Sequence, residues 1–159
     1  MGRIVSYPVS AVAVTLAQDF FEVLSATGKP FWLHSFNIAQ KTDYGDAAAE
    51  GLDVLIKRGI GNTSGSAGTT LAGSAAGKQS TNDANAGPTA EFNNTTQAVA
   101  GGGSLTTLFA DCFNIQAGYT YLPIPEDRFL FLAAEACIVS ISAPTDSLTM
   151  SGTITIEEL

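Results

Sequence analysis

Polar and apolar residues alternate with a period of two along most of this chain. The clearest run is near the C-terminus, where Leu148, Met150, Ile154 and Ile156 share one side and Thr149, Ser151, Thr153 and Thr155 the other. That is the pattern of a strand with one buried and one wet face. Val12, Val14 and Leu16 alternate with Ala11, Ala13 and Thr15 in the same way, after an edge strand predicted to begin near Arg3 and pause at Pro8. A further run, Phe20-Phe21-Glu22-Val23-Leu24, follows. Residues 30–40 place Trp32, His34, Phe36 and Ile38 on one face and Phe31 and Leu33 on the other, which predicts a central strand. Leu52, Val54 and Ile56 alternate with Asp53 and Lys57 up to Gly59. Residues 105–115 and 118–124 predict a strand pair around a short turn at Ala117-Gly118, closed by Pro123 and Pro125. Phe129 to Ser142 is apolar on both faces, the mark of a strand covered from both sides. Only Thr42 to Glu50, through Asp46-Ala47-Ala48-Ala49-Glu50, hints at helix, and it is long enough for one or two turns.

These runs predict an all-β single domain over residues 1–159. About eight antiparallel strands would close as a two-sheet sandwich, with a jelly roll the first expectation. An immunoglobulin-like sandwich is the second, and the usual Cys, Trp, Cys spacing is missing. A chain of 159 residues is large enough to bury a real core.

Residues 61–104 break the pattern. They carry nine of the sixteen glycines, three charges (Lys78, Asp83, Glu91) and three large apolar side chains, Leu71, Phe92 and Val99. Ordering backbone costs about 1–2 kcal/mol per residue, which three buried side chains cannot offset over such a length. The segment is therefore no autonomous subdomain. It is a long loop or arm that is either disordered or drawn over a surface supplying hydrogen-bond partners, its own sheet or a neighbouring protein. Its small, neutral, Gly-rich composition suits close backbone approach, and Leu71, Phe92 and Val99 are the expected interface anchors. The Gly77-Lys78 pair inside it is no phosphate loop. Gly73 and Gly77 are separated by three residues rather than four, Gln79 replaces the magnesium-binding hydroxyl, and residues 80–88 are turn formers where a helix is required.

Charge and chemistry narrow the function classes. The net charge is −8 with seven Lys and Arg, scattered singly apart from Lys57-Arg58, so no basic face exists for nucleic acid. No apolar run reaches the roughly 18 residues of a membrane span. Cys112 and Cys137 sit in strand-like runs as small hydrophobes of a chain assembled in a reducing cytoplasm, with a disulfide between them the alternative. Met1-Gly2-Arg3-Ile4-Val5-Ser6 matches the myristoylation pattern and Ala11-Val12-Ala13 a signal-peptidase site, but Pro8 and the interspersed serines break the apolar stretch a leader needs. The sequons at Asn62, Asn93 and Asn94 matter only for a chain secreted from a eukaryotic cell.

His34 is the single histidine, so any Ser-His or Cys-His catalytic set must pass through it; its neighbours suggest a core or interface imidazole instead. One His, two separated Cys and no Asp-x-Asp loop make no metal pattern, and no cofactor is expected. Glu135, inside an apolar run, is expected to pair with Arg58 or Arg128 or to lie at an interface rather than to act as a general acid. Glu126-Asp127-Arg128 and Glu157-Glu158 are read as a solvated turn and a solvated end. No catalytic residue is assigned, and the chain is expected not to be an enzyme.

Five phrases occur in order: Gln18-Asp19-Phe20-Phe21-Glu22-Val23, Lys29-Pro30-Phe31-Trp32-Leu33-His34, Thr89-Ala90-Glu91-Phe92-Asn93-Asn94-Thr95-Thr96, Asp111-Cys112-Phe113-Asn114-Ile115 and Ser147-Leu148-Thr149-Met150-Ser151-Gly152-Thr153. Together they resemble small virion structural proteins of tailed bacteriophages and prophages. The resemblance implies a non-enzymatic particle component, in the first place a capsid decoration (cement) protein. Such proteins bind the major capsid protein on the outer surface of the head and typically trimerise. It equally admits a tail, baseplate or head-fibre protein. A carbohydrate-binding module, with Trp32, Tyr119 and Tyr121 as the candidate aromatics, is the competing class.

Overall fold

The computed structural model describes residues 2–42, 44, 45 and 50–159. The helical turn expected around Asp46-Ala47-Ala48-Ala49 lies outside the described residues. The described residues form twelve strands: β1 (Arg3–Val14), β2 (Gln18–Leu24), β3 (Phe31–Gln40), β4 (Gly51–Ile60), β5 (Thr69–Leu71), β6 (Gly77–Lys78), β7 (Thr89–Asn94), β8 (Ser104–Asn114), β9 (Tyr119–Tyr121), β10 (Leu130–Phe131), β11 (Glu135–Ile141) and β12 (Leu148–Glu158). They form two antiparallel sheets packed as a sandwich. One runs β10-β3-β12-β1-β6, with β9 beside β10 on the outer side of β3. The other runs β5-β7-β2-β11-β4-β8.

The expected all-β sandwich is what the chain adopts. β12 lies between β1 and β3, and its side chains alternate buried and half-buried over the whole strand. Gly152 falls on the buried parity because Phe20 occupies the space its side chain would need; a Cβ there would meet the Phe20 ring at 3.1 Å and the Asn37 carbonyl at 2.4 Å. Pro8 does not interrupt β1. Beyond Val5 and Ser6, which pair with β6, that side of β1 carries no strand, so the missing N–H can face solvent. The interruption comes later, as a bulge between Val9 and Val12 where Ala11 takes φ +56° and donates its N–H to Ser151 Oγ at 3.0 Å.

Two expectations of face and length are corrected. In β3 the register slips between the Thr155–Ser35 and Ile156–Leu33 pairs, so His34 is an extra residue. The bulge puts Phe31 and Leu33 on the buried face together with Phe36 and Ile38, and leaves Trp32 and His34 half-buried on the other side. The run from Phe129 to Ser142 is two strands in different sheets. Leu130 and Phe131 join β3, a turn with Ala134 at φ +65° reverses the chain, and β11 crosses to the second sheet. Periodicity could not show this break because Leu132-Ala133-Ala134 is as apolar as its flanks. β11 itself is as deep as expected, with every residue from Ala136 to Ile141 buried.

Residues 61–104 lie over the sandwich. β7 pairs with β2, β5 with β7, and β6 with β1, so the segment extends both sheets at one side of the body. Thr63 bridges Val99 and Ser66 bridges Thr96, and Ala98 with Leu105 covers Ala136 and Ile138 on the outer face of β11. Glycine permits the close approach. A Cβ on Gly73 would stand 1.9 Å from the Ala86 carbonyl oxygen, and one on Gly68 2.5 Å from that of Phe92. Gly73→Ala is therefore expected to lower stability by about 1–3 kcal/mol. Chemical denaturation checks it; a midpoint equal to that of the parent would mean that the segment does not sit on the body as described.

Candidate partner-docking site

The residues singled out from the sequence take up structural partners. Glu135 pairs with Arg58 (Nε to Oε2, 3.3 Å), the first of its two expected partners, and accepts the Leu132 N–H at 2.9 Å. Arg58 also donates to the Leu130 carbonyl at 2.7 Å and lies over the Phe131 ring at 5.3 Å. His34 is held by Arg128, whose Nη2 lies 3.2 Å from Nε2. Partial burial first, then the Arg128 charge, keeps its pKa below the ordinary histidine range. Cys137 is buried and Cys112 exposed, both as free thiols. Burial pushes the Cys137 thiol far up, so it stays protonated.

The C-terminal glutamates are not the solvated end expected of them. Glu157 pairs with Arg128 at 3.3 Å. Glu158 is 2% exposed, pairs with Arg3 and with Lys29 (3.1 Å), and accepts the Gly87 N–H at 2.6 Å. The cause is parity: Glu158 continues the buried face of Ile154 and Ile156, directly across from Arg3 in the β1 ladder.

Glu158 is one of three buried carboxylates that hold residues 61–104 by their backbone. A bulge in β2, between the Phe21–Val139 and Asp19–Ser140 pairs, turns both Phe20 and Phe21 into the core and sets Asp19 and Glu22 together on the outer face. Asp19 accepts the Ala98 N–H and the Ser140 hydroxyl, each at 2.6 Å. Glu22 accepts the Gly65 N–H at 2.9 Å and Asn94 Nδ2 at 3.0 Å. Asn94 Nδ2 also reaches Glu91 at 3.1 Å. Burial, with smaller contributions from the Asp19 and Glu91 charges, raises the Glu22 pKa above its ordinary value despite those donors. For Glu158, burial pushes upward too. The Gly87 N–H, Arg3 and Lys29 outweigh it and hold the carboxyl below its usual range.

Of the three expected anchors, Leu71 and Phe92 pack half-buried against the chain's own core, and only Val99, 55% exposed, is left on the surface. The unsatisfied surface lies on the opposite side. The outermost strands β5, β6, β9 and β10 are two or three residues long, and the side of β1 left open beyond β6 is broken by Pro8 and by the bulge after Val9. Among the described residues β8 has eleven residues paired on one side only, to β4. Asp53 exchanges hydrogen bonds with Ser142 and so turns away from β8, which leaves its partner Cys112 facing outward. The Cys112 N–H is capped by the Asp111 carboxylate at 2.8 Å. By alternation the Ala110 N–H also faces outward, and from Ser104 to Ala110 this edge has no backbone partner among the described residues.

Beside the edge, where β8 faces β9 across the sandwich, a groove of about 590 Å³ is lined by Phe109, Tyr121, Pro123 and Phe129, with Glu126, Asp127 and Arg128 at its rim. Its aromatic wall is continuous. Phe109 meets Tyr121 edge-on at 5.2 Å, and Tyr121 stacks on Phe36 at 5.3 Å and Phe129 at 6.4 Å. Leu122 and Ile124, on the same segment, are 69% and 61% exposed. Asp111, whose second oxygen accepts the Tyr119 hydroxyl at 3.1 Å, adds a third carboxylate to this end. Sequence reasoning did not single out this place. The alternation pointed the other way, pairing residues 105–115 with 118–124, but β8 pairs with β4 and β9 with β3 in the other sheet, and this leaves the outer edge of β8 without the partner expected of it.

No protein-family model matches the chain, and neither a curated protein nor a solved structure is significantly similar to it.

The two opposed carboxylates predict a pH signature. Glu158, with its lowered folded pKa, stabilises the fold above the unfolded value and loses that contribution as pH falls through the folded pKa. Glu22, with its raised folded pKa, costs nothing below the unfolded value and destabilises progressively as pH rises through the folded one. Glu22→Gln is therefore expected to raise the melting temperature more at pH 8 than at pH 4, and Glu158→Gln to lower it at pH 8 with the loss shrinking in acid. Thermal melts of both variants across that range check the signs.

Proposed function

We propose that the protein is a non-enzymatic virion structural protein, a capsid decoration (cement) protein of the tailed-phage kind. It would bind the major capsid protein on the outer surface of the head, as a homotrimer. The observation that carries this reading is β8: a strand of eleven residues paired on one side only among the described residues, its free edge lying beside an apolar groove. Sheet edges of that length pair with other chains unless something prevents it.

Other features support the same reading. The ionisable groups that stood out in the sequence are taken up by structural contacts: Glu135 by Arg58, Glu157 by Arg128, and His34 by Arg128. The strand orders β1-β12-β3-β9 and β2-β11-β4-β8, each wound antiparallel, support a jelly roll elaborated by β5 to β7. Tyr119 and Tyr121, the tyrosines a sugar-binding surface would use, pack instead against Phe36, Phe109 and Phe113.

Cosedimentation with emptied heads of the phage whose genome encodes the chain tests the proposal. Saturable binding to heads, raised heat resistance of those heads, and a solution mass three times the 16.4 kDa chain are expected. Binding to tails alone, or to neither heads nor tails, would overturn the decoration role.

A further inference from the structure

The reading of β8 as the docking face raises the question of what lies on it, and the inference that follows rests on that reading. We propose that the occupant is an extended segment of a different protein that pairs antiparallel or parallel with β8 from Ser104 to Ala110. It would insert a large apolar side chain between Phe109, Tyr121 and Phe129, and carry an adjacent Lys or Arg to meet Glu126 and Asp127. On the decoration reading this segment belongs to the shell protein.

The backbone requirement comes from the edge itself. Among the described residues, the backbone groups facing outward along Ser104 to Ala110 have no backbone partner, whereas the following outward N–H, that of Cys112, is already capped by Asp111. The usable edge therefore stops near Ala110, next to Phe109 and so at the mouth of the groove. A strand added there carries alternate side chains toward the groove. The walls are aromatic and the volume, about 590 Å³, takes one or two large apolar side chains.

The charge requirement comes from the rim. Asp111, Glu126 and Asp127 are all exposed there. Among the described residues lining the groove the one cation, Arg128, is committed to Glu157 and His34. The groove thus presents uncompensated negative charge next to an apolar floor.

A second copy of this chain is a poor source of the missing cations. Of its seven Lys and Arg, Arg3, Lys29, Arg58 and Arg128 are in ion pairs and Lys78 donates to the Asp83 carbonyl at 3.0 Å, which leaves Lys41 and Lys57 against fifteen Asp and Glu. With a net charge of −8, pairing β8 to β8 would bring two acidic ends together. Any trimer contact is assigned to another face.

The test uses two synthetic ten-residue peptides that alternate Lys with Val and Leu, or Glu with Val and Leu, titrated into isotope-labelled full-length protein. The Lys peptide is expected to shift the resonances of Leu105 to Ala110, Phe109, Tyr121 and Phe129 and to slow exchange of the Ala110 amide. The Glu peptide is expected to do neither. Ala110→Pro removes an outward N–H without touching a bond to β4, and should weaken binding about tenfold or more. The paired surface change Glu126→Gln with Asp127→Asn should weaken it about five- to tenfold and flatten its salt dependence. It removes no buried contact, so it reads the proposal even should the proline variant fold poorly.

Equal affinity for the two peptides, shifts confined to another face, or a salt-insensitive dimer abolished by Ala110→Pro would each overturn the proposal. The head-binding assay separates the two levels. Lys-peptide binding at β8 without head binding discards the decoration role and keeps the docking chemistry. Head binding unchanged by all three substitutions discards the docking chemistry and keeps the role.

Discussion

Three carboxylates on the sandwich body, Asp19, Glu22 and Glu158, accept backbone N–H groups from a segment that cannot order itself, and the remaining architecture follows from that. Residues 61–104 have too little apolar surface to be held by burial. They are held by what every residue owns, its amide, donated to oxygens whose burial makes each bond costly to break. The Tyr7 hydroxyl adds a fourth fastening, donated to the Pro88 carbonyl at 2.6 Å. Glycine is the corollary: at Gly68 and Gly73 the backbone comes so near its neighbours that no Cβ fits.

Fastening the segment has a consequence for the edges. β5, β6 and β7 extend the two sheets on the β1 and β2 side, and the length of β1 that β6 does not reach is blunted by Pro8 and the bulge after Val9. On the opposite side β9 and β10 are short, but β8 has no such cover. The asymmetry is energetic as much as geometric. A short edge offers one or two hydrogen bonds to a stray partner, whereas seven residues of open edge beside an aromatic groove offer a register and an anchor. A body stiffened on one flank and open on the other is suited to binding along one line, which is why the proposal places the partner there.

The β-bulges in β2 and β3 mark where local pattern and final structure part. In β2 the bulge lets adjacent Phe20 and Phe21 both reach the core, forming an edge-on pair at 4.9 Å, and thereby brings Asp19 and Glu22 to one face. Strict alternation would have put those two carboxylates on opposite faces. In β3 the bulge at His34 inverted the expected faces on one side of it. A period-two reading carries no record of an extra residue, because a residue is extra only relative to the strand it pairs with, and that pairing is not visible along one strand.

What this sequence determined by itself was the class of structure: strands, two layers, a deep β11, a half-wet β12 and a long segment unable to fold alone. Those follow from side-chain alternation and apolar content, which are local quantities. Glu135 with Arg58 was legible too, since a charge in an apolar run must find an opposite charge and few were on offer. The tertiary structure decided where strands end up beside one another, and with that the burial of Glu158, the gathering of Asp19 and Glu22, the seating of Leu71 and Phe92 on their own core, and the exposure of β8. An edge is a property of the order of strands in a sheet, and that order is set by contacts between residues distant in sequence, which no window along the chain contains.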